Sequence, residues 1–139
     1  MGGGEGWRTD MDHKPVLVVA DDAAVRSVIQ ELLQQILGVR TASAGDEIEA
    51  LEKVKELQPA LVIVDIMLPE LDGIDVVKAL KADPDTASIP VIATTALDGE
   101  CRAAIKAGCA DCVQVPFHID SLAKTVQKYM PTERARTAA

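Results

Sequence analysis

Short apolar runs alternate along this chain with amphipathic stretches, and that alternation restricts the fold more than any other feature of the sequence. Val16–Ala20 and Leu61–Val64 are continuous apolar runs, with the length and β-branched content of strands buried on both faces. Helical spacing recurs between them. Residues 23–37 set Val25, Val28, Ile29, Leu32, Leu33, Ile36 and Leu37 on one stripe, and Gly38 follows as a stop. Asp46–Gln58 does the same with Ile48, Leu51, Val54 and Leu57 and is stopped by Pro59. Ile74–Lys81, Asp98–Ala107 and Ile119–Met130 are three further amphipathic helices. Val39–Ala42, Ile89–Thr95 and Cys112–Val115 are weaker runs that read as the remaining strands.

Five strands alternating with five helices predict an α/β fold, a doubly wound five-stranded parallel sheet with helices on both faces and strand order 2-1-3-4-5. Ligands on such a sheet bind beyond the carboxyl ends of the strands, near the switch point between strands 1 and 3. Residues 1–13 are Gly-rich and polar and read as a flexible tail, and residues 131–139 read as a second one. Residues 14–130 then form a single domain.

Composition narrows the function. The chain has 139 residues, 48% of them hydrophobic, which suffices for one domain with its own core. One Trp, one Tyr and one Phe leave that core to Val, Ile, Leu and Ala. The net charge of −8 argues against nucleic acid and against an anionic membrane surface, since both attract basic patches. No apolar run approaches the length of a membrane span, and the first residues lack the apolar region of a signal peptide. A cytoplasmic location is the expectation. Three cysteines cannot all pair internally, which agrees with a reducing compartment. Cys109 and Cys112 form a C-x-x-C, but where a helix gives way to a strand, so they read as small buried residues rather than a redox pair.

The strand ends carry the chemistry. Strand 1 runs into Asp21 and Asp22, strand 3 into Asp65, and strand 4 into Thr94 and Thr95. Carboxylates from strands 1 and 3 meet at the switch point, where they repel unless a cation separates them. Mg²⁺ suits such a place, because it takes one or two carboxylates and keeps several waters. A hydroxyl on strand 4 is placed to bind a phosphoryl oxygen, and Thr95 is the better candidate, with Thr94 turned to a helix or the core.

The stretch DIMLPELDG, with VLVVADDAAVR before it and IPVIATTAL and VPF after it, resembles the receiver domain of two-component response regulators, a flavodoxin-like fold. The resemblance covers roughly residues 15–130 in order. It implies that Asp65 accepts a phosphoryl group from a histidine kinase or a phosphotransfer protein. It implies that Asp21, Asp65 and the backbone carbonyl of Met67 hold Mg²⁺. It implies that Thr95 turns toward the phosphoryl group and signals through the face formed by helix 4, strand 5 and helix 5, where a downstream protein or a second copy docks. Such a domain is a signalling module rather than a turnover enzyme. Phosphoryl transfer asks mainly for positioning and charge neutralisation, and a carboxylate can carry the phosphoryl group.

Three positions depart from the family pattern. Setting Arg26 against the arginine of the family's first helix puts Ala20 in place of the first acid and Asp21 in the metal-ligand position; a competing register makes Asp21 and Asp22 the usual pair. Val115 stands where the family has a lysine that meets the phosphoryl oxygens, and Lys14, Arg102 and His118 are the sequence's candidate replacements. Cys112 stands where the family has an aromatic switch residue. Two functions follow as expectations: phosphorylation at Asp65 with a weakened site, or a phosphorylation-independent docking module. Met67 and Leu97 hold positions that tune loss of the phosphoryl group in the family. Both are apolar, which predicts slow self-dephosphorylation.

Overall fold

The computed structural model describes residues 14–66, 73–96, 98–114 and 119–130. Ten elements alternate along the chain: β1 Val16–Val19, α1 Ala23–Leu37, β2 Thr41–Ala44, α2 Glu47–Leu57, β3 Leu61–Asp65, α3 Gly73–Ala82, β4 Val91–Thr95, α4 Asp98–Ala107, β5 Asp111–Gln114 and α5 Ile119–Tyr129. All strands are parallel, in the order β2-β1-β3-β4-β5, as expected. Both terminal segments read as tails lie outside the described residues.

The sheet divides two apolar layers. On one face Leu17, Val19, Val62, Val64, Val91 and Ala93 pack with residues of α2, α3 and α4. On the other Val16, Val18, Leu61, Ile63, Ile92 and Val113 pack under Ile29 and Leu33 of α1 and Leu122 and Val126 of α5. The strict alternation within each strand follows from the pleat, which sends successive side chains to opposite faces. Every residue of β1, β3 and β4 is buried, which explains why the first two read as unbroken apolar runs.

Local chemistry sets the helix ends. The Asp22 carboxylate accepts from the N–H groups of Ala24 and Val25 and caps α1. Gly38, at φ +65°, ends the same helix. Asp46 caps α2 by accepting from the Glu49 N–H at 2.8 Å, and Glu49 in turn accepts from the Gly45 N–H at 2.9 Å, a near relative of the reciprocal capping box. That bond and the Lys53 ammonium hold the Glu49 carboxyl below its usual range. Lys81 donates to the carbonyls of Ala87 and Ile89 and so fastens α3 to the entry of β4.

Two sequence expectations shift. The second strand is Thr41–Ala44 rather than Val39–Ala42, in register with β1 from Val16↔Thr41. Val39 drew the earlier placement, yet it is buried beside α1 as a connecting residue. The strand itself lies at the sheet edge, where TASA satisfies the ladder on one side without an apolar pattern. The α1 and α2 stripes are also narrower than periodicity suggested: Val28, Ile36 and Ile48 are 56%, 57% and 71% exposed. The described part of strand 5 is Asp111–Gln114, and Val115 lies outside the described residues.

Candidate functional site at the strand ends

Asp65 is the last residue of β3. It is only 7% exposed, and a carboxylate pays heavily for burial unless hydrogen bonds or a cation answer it. Val19 pairs with Val64 across β1 and β3, so Ala20 lies level with Asp65 and Asp21 stands one step further along. Asp21 is partly buried. The two acids therefore close adjacent strands at the switch point, as the sequence suggested.

Asp22 does something else. Its carboxylate is engaged as the cap of α1, which agrees with the register that reserves Asp21 for the site. Arg26, one turn into α1, donates from Nη1 to the carbonyl of Ala20. In that register the position of the family's first acid is a buried alanine whose carbonyl is held by an arginine.

Both threonines at the end of β4 are fully buried. Thr95 pairs in register with Gln114 of β5, and Thr94 pairs with Asp65 on one side and Val113 on the other. Gln114 also donates from Nε2 to the Ala96 carbonyl at 3.3 Å, which ties β5 to the chain just past Thr95. Thr94 follows Ile92 in the pleat, toward the α1/α5 layer, in keeping with the expectation that it faces the core. Its hydroxyl nonetheless has no hydrogen-bond partner.

Gly73 completes the described surroundings. A Cβ there would lie 2.7 Å from Ile66 Cα and 3.0 Å from the Asp65 carbonyl. The start of α3 therefore presses directly on the backbone that carries Asp65, which gives the glycine of PELDG a reason beyond loop punctuation. Met67, Pro69, Leu97 and His118 lie outside the described residues. Of the replacement cations considered, Lys14 precedes β1 at the opposite end of the strands, and Arg102 is exposed on α4.

Cys109 is the small buried residue the sequence suggests, whereas Cys112 is not, and its bonding removes the cysteine count as an argument for a reducing compartment. Cys112 is joined to Cys101 in a disulfide, with Cα atoms 5.5 Å apart, a distance that suits the bond without backbone movement. Cys109 remains a thiol and is buried; burial pushes its pKa up from 9.0 to about 11, against a small opposing effect of Lys81. Cys109 and Cys112 are not bonded to each other, in keeping with the reading of their C-x-x-C as no redox pair. Cys101 on α4 and Cys112 on β5 belong to a helix and the strand that follows it, and this packing brings them together where spacing alone gave no sign.

The donors at the switch point suit a hard cation. Among the described residues no three His, Cys, Asp or Glu side chains gather as a metal site. The Asp21 and Asp65 carboxylates are the candidate oxygen donors at these strand ends, and two carboxylates with water in the remaining positions is an arrangement Mg²⁺ accepts.

A doubly wound sheet in this order, with an acid closing each switch-point strand, is the architecture of a signalling receiver. Comparison with known proteins agrees. The profile of the response regulator receiver domain matches residues 16–127. The polar-differentiation response regulator DivK of Brucella anthropi is 31% identical over 119 residues, which span 84% of this chain and 96% of that protein. The Francisella response regulator 1452 receiver domain superposes with a TM-score of 0.75 at 31% identity, covering 90% of this chain and 99% of that one. Chemotaxis response regulator CheY4 of Vibrio cholerae gives 0.75 at 25% identity, covering 85% and 99%. The chain belongs to the response regulator receiver domain family and is a receiver module of two-component signalling.

Proposed function

We propose that this protein is a stand-alone receiver that accepts a phosphoryl group on Asp65 from a histidine kinase or phosphotransfer protein, in the cytoplasm, and acts by protein–protein contact rather than by turnover. The observation that carries this reading is the buried Asp65 carboxylate at the end of β3, level with the end of β1 and one step from Asp21. No described helix is long and apolar enough to cross a membrane.

Asp21, Asp65 and the carbonyl of Met67 are the residues that would hold Mg²⁺. When bound, the ion neutralises the facing carboxylates and the charge of the incoming group. Asp65 supplies the attacking oxygen: its bond to phosphorus forms as the donor's bond to phosphorus breaks. Thr95, at the adjoining strand end, supplies a hydroxyl for a phosphoryl oxygen. Arg26 fixes the end of β1 through the Ala20 carbonyl. The signal then leaves through the α4–β5–α5 face, to a downstream protein or to a second copy of the chain.

A second reading is a docking module that works without phosphorylation. One observation favours it: the Cys101–Cys112 disulfide joins α4 to β5 at the position of the family's aromatic switch, and so restrains the face that would otherwise respond.

Intact-mass spectrometry after incubation with acetyl phosphate and Mg²⁺ separates the two. A gain of one phosphoryl group that is absent in Asp65→Asn is the expected result. A folded wild-type chain that gains no mass from acetyl phosphate or from a phosphorylated kinase mixture favours the docking module.

A further inference from the structure

Thr94 presents a buried polar group with no structural use. It is fully buried, and its Oγ1 is the one buried side-chain nitrogen or oxygen among the described residues that lacks a hydrogen-bond partner. Native folds leave few such groups, and each calls for an explanation. A valine of the same shape would fill the place without the desolvation cost. The chain nevertheless carries a hydroxyl there.

Its location supplies the explanation. Thr94 is the register partner of Asp65, so the two residues stand side by side on adjacent strands, roughly 4.8 Å apart in the hydrogen-bonding direction. The pleat sends both side chains to the same face, since Asp65 follows Ile63 and Thr94 follows Ile92, and both isoleucines pack in the α1/α5 layer. On its other side Thr94 pairs with Val113 of β5. β4 thus lies between β3 and β5, and a side chain reaching from the end of β5 toward Asp65 passes over Thr94. Val115 follows the last described residue of that strand and has no charge or donor to send.

We propose that the Thr94 hydroxyl is a second donor for the group carried by Asp65, taking part of the role left open by Val115. This rests on Asp65 being a phosphoacceptor. A phosphoryl group brings three strong acceptor oxygens, and a threonine hydroxyl needs only rotation about one side-chain bond to turn toward one of them. In the transfer from acetyl phosphate, the Asp65 oxygen forms its bond to phosphorus as the bond to the acetate oxygen breaks and acetate leaves. Thr94 keeps its proton throughout and contributes a hydrogen bond. The hydroxyl is unmatched in the resting state and matched when the phosphoryl group is present, so it favours the loaded form.

Thr94→Val and Thr94→Ser in the full chain test this, with phosphorylation by acetyl phosphate and Mg²⁺ followed by intact mass and thermal unfolding measured alongside. Thr94→Val is expected to unfold at a higher temperature than the wild type and yet to load about tenfold more slowly, the effect of one hydrogen bond on a rate. Thr94→Ser restores the rate. A wild-type loading rate in Thr94→Val overturns the proposal and leaves the phosphoacceptor reading intact. A lower unfolding temperature in Thr94→Val also overturns it, because the hydroxyl then has a structural partner. A wild-type chain that, like Asp65→Asn, takes no label from acetyl phosphate or from a phosphorylated kinase mixture overturns the phosphoacceptor reading and this proposal with it.

Discussion

Cys101 of α4 is bonded to Cys112 of β5 across a sequence separation of 11 residues. The bond spans the turn at Gly108, where φ is +125°, and fastens the helix to the edge strand of the sheet. β5 is the least buried strand on that side, with only Val113 fully covered, so the covalent link adds to a modest set of contacts. A cross-link closing a loop of this size removes conformational freedom from the unfolded chain. Reduction, or Cys101→Ser, is expected to cost roughly 2–3 kcal/mol, or roughly 10 °C in the unfolding midpoint for a domain of this size. Thermal unfolding with and without dithiothreitol checks this. Cys101→Ser should unfold at the midpoint of the reduced wild type and show no further response to reductant.

Cys109 offers a pH-dependent counterpart. Burial raises its pKa to about 11, so the native fold favours the neutral thiol. The unfolded chain gives up that proton at lower pH than the folded chain does, so the folded state binds more protons between about pH 9 and 11 and stability falls as pH rises through that window. Cys109→Ala should flatten this part of the profile. Below pH 9 the native thiol is expected to resist iodoacetamide, and labelling at Cys109 should appear only on unfolding; fast labelling of the folded protein at pH 8 would contradict the buried thiol.

Asp21 and Asp22 are adjacent and chemically alike, yet the structure ties Asp22 alone to a helix cap. Asp22 caps α1 through two backbone N–H groups, and Asp22→Ala should cost about 1 kcal/mol while leaving Mg²⁺ affinity nearly unchanged. Asp21→Asn should do the reverse, with little change in stability and loss of Mg²⁺ binding. The wild-type affinity itself is expected to be weak, because Ala20 leaves the site one carboxylate short of the family pattern. Calorimetric titration with Mg²⁺ of the three proteins decides the matter. Equal losses of affinity in both variants would support the competing register, in which the pair acts together.

How far these features were legible in the sequence depends on what each one leaves in the residue pattern. The strands buried on both faces were plain, because burial demands unbroken apolar runs such as Val16–Ala20. Alternation gave the parallel sheet, and the strand order was the usual one for a five-stranded doubly wound sheet. The edge strand was misplaced by two residues because Thr41–Ala44 needs no apolar signature, whereas Val39 has one for a different reason. The place of Asp65 was legible as a polar residue closing an apolar run, and the cap formed by Asp22 agrees with the register set by Arg26. The disulfide was not, since it depends on how α4 lies against β5, which no spacing rule encodes. The unmatched hydroxyl of Thr94 was equally hidden: a threonine beside alanine and isoleucine in a strand looks like ordinary packing until its partners are enumerated.

Gly73 gives the last prediction. The glycine is buried at the first position of α3, and the space beside its Cα is occupied by main chain: a Cβ would meet Ile66 Cα at 2.7 Å, Ile66 Cγ2 at 2.8 Å and the Asp65 carbonyl at 3.0 Å. Backbone does not yield as a flexible side chain does, so Gly73→Ala must push α3 away from the end of β3 or bend the strand end itself. Overpacking of this kind costs about 1–3 kcal/mol. The displaced segment carries Asp65, so the same substitution is expected to slow phosphorylation by more than its effect on stability explains. Comparison with Gly108→Ala controls for helix-end effects. At Gly108 the nearest atoms a Cβ would meet belong to the Lys81 side chain, 2.8 Å away at Cγ, remote from the strand ends, and although positive φ makes that variant unstable, the folded fraction should load at the wild-type rate. Loading rates measured per folded molecule, with the folded fraction taken from circular dichroism, separate the two effects. A Gly73→Ala protein that loses stability but keeps the wild-type loading rate would show that the close contact supports the fold and leaves the position of Asp65 undisturbed.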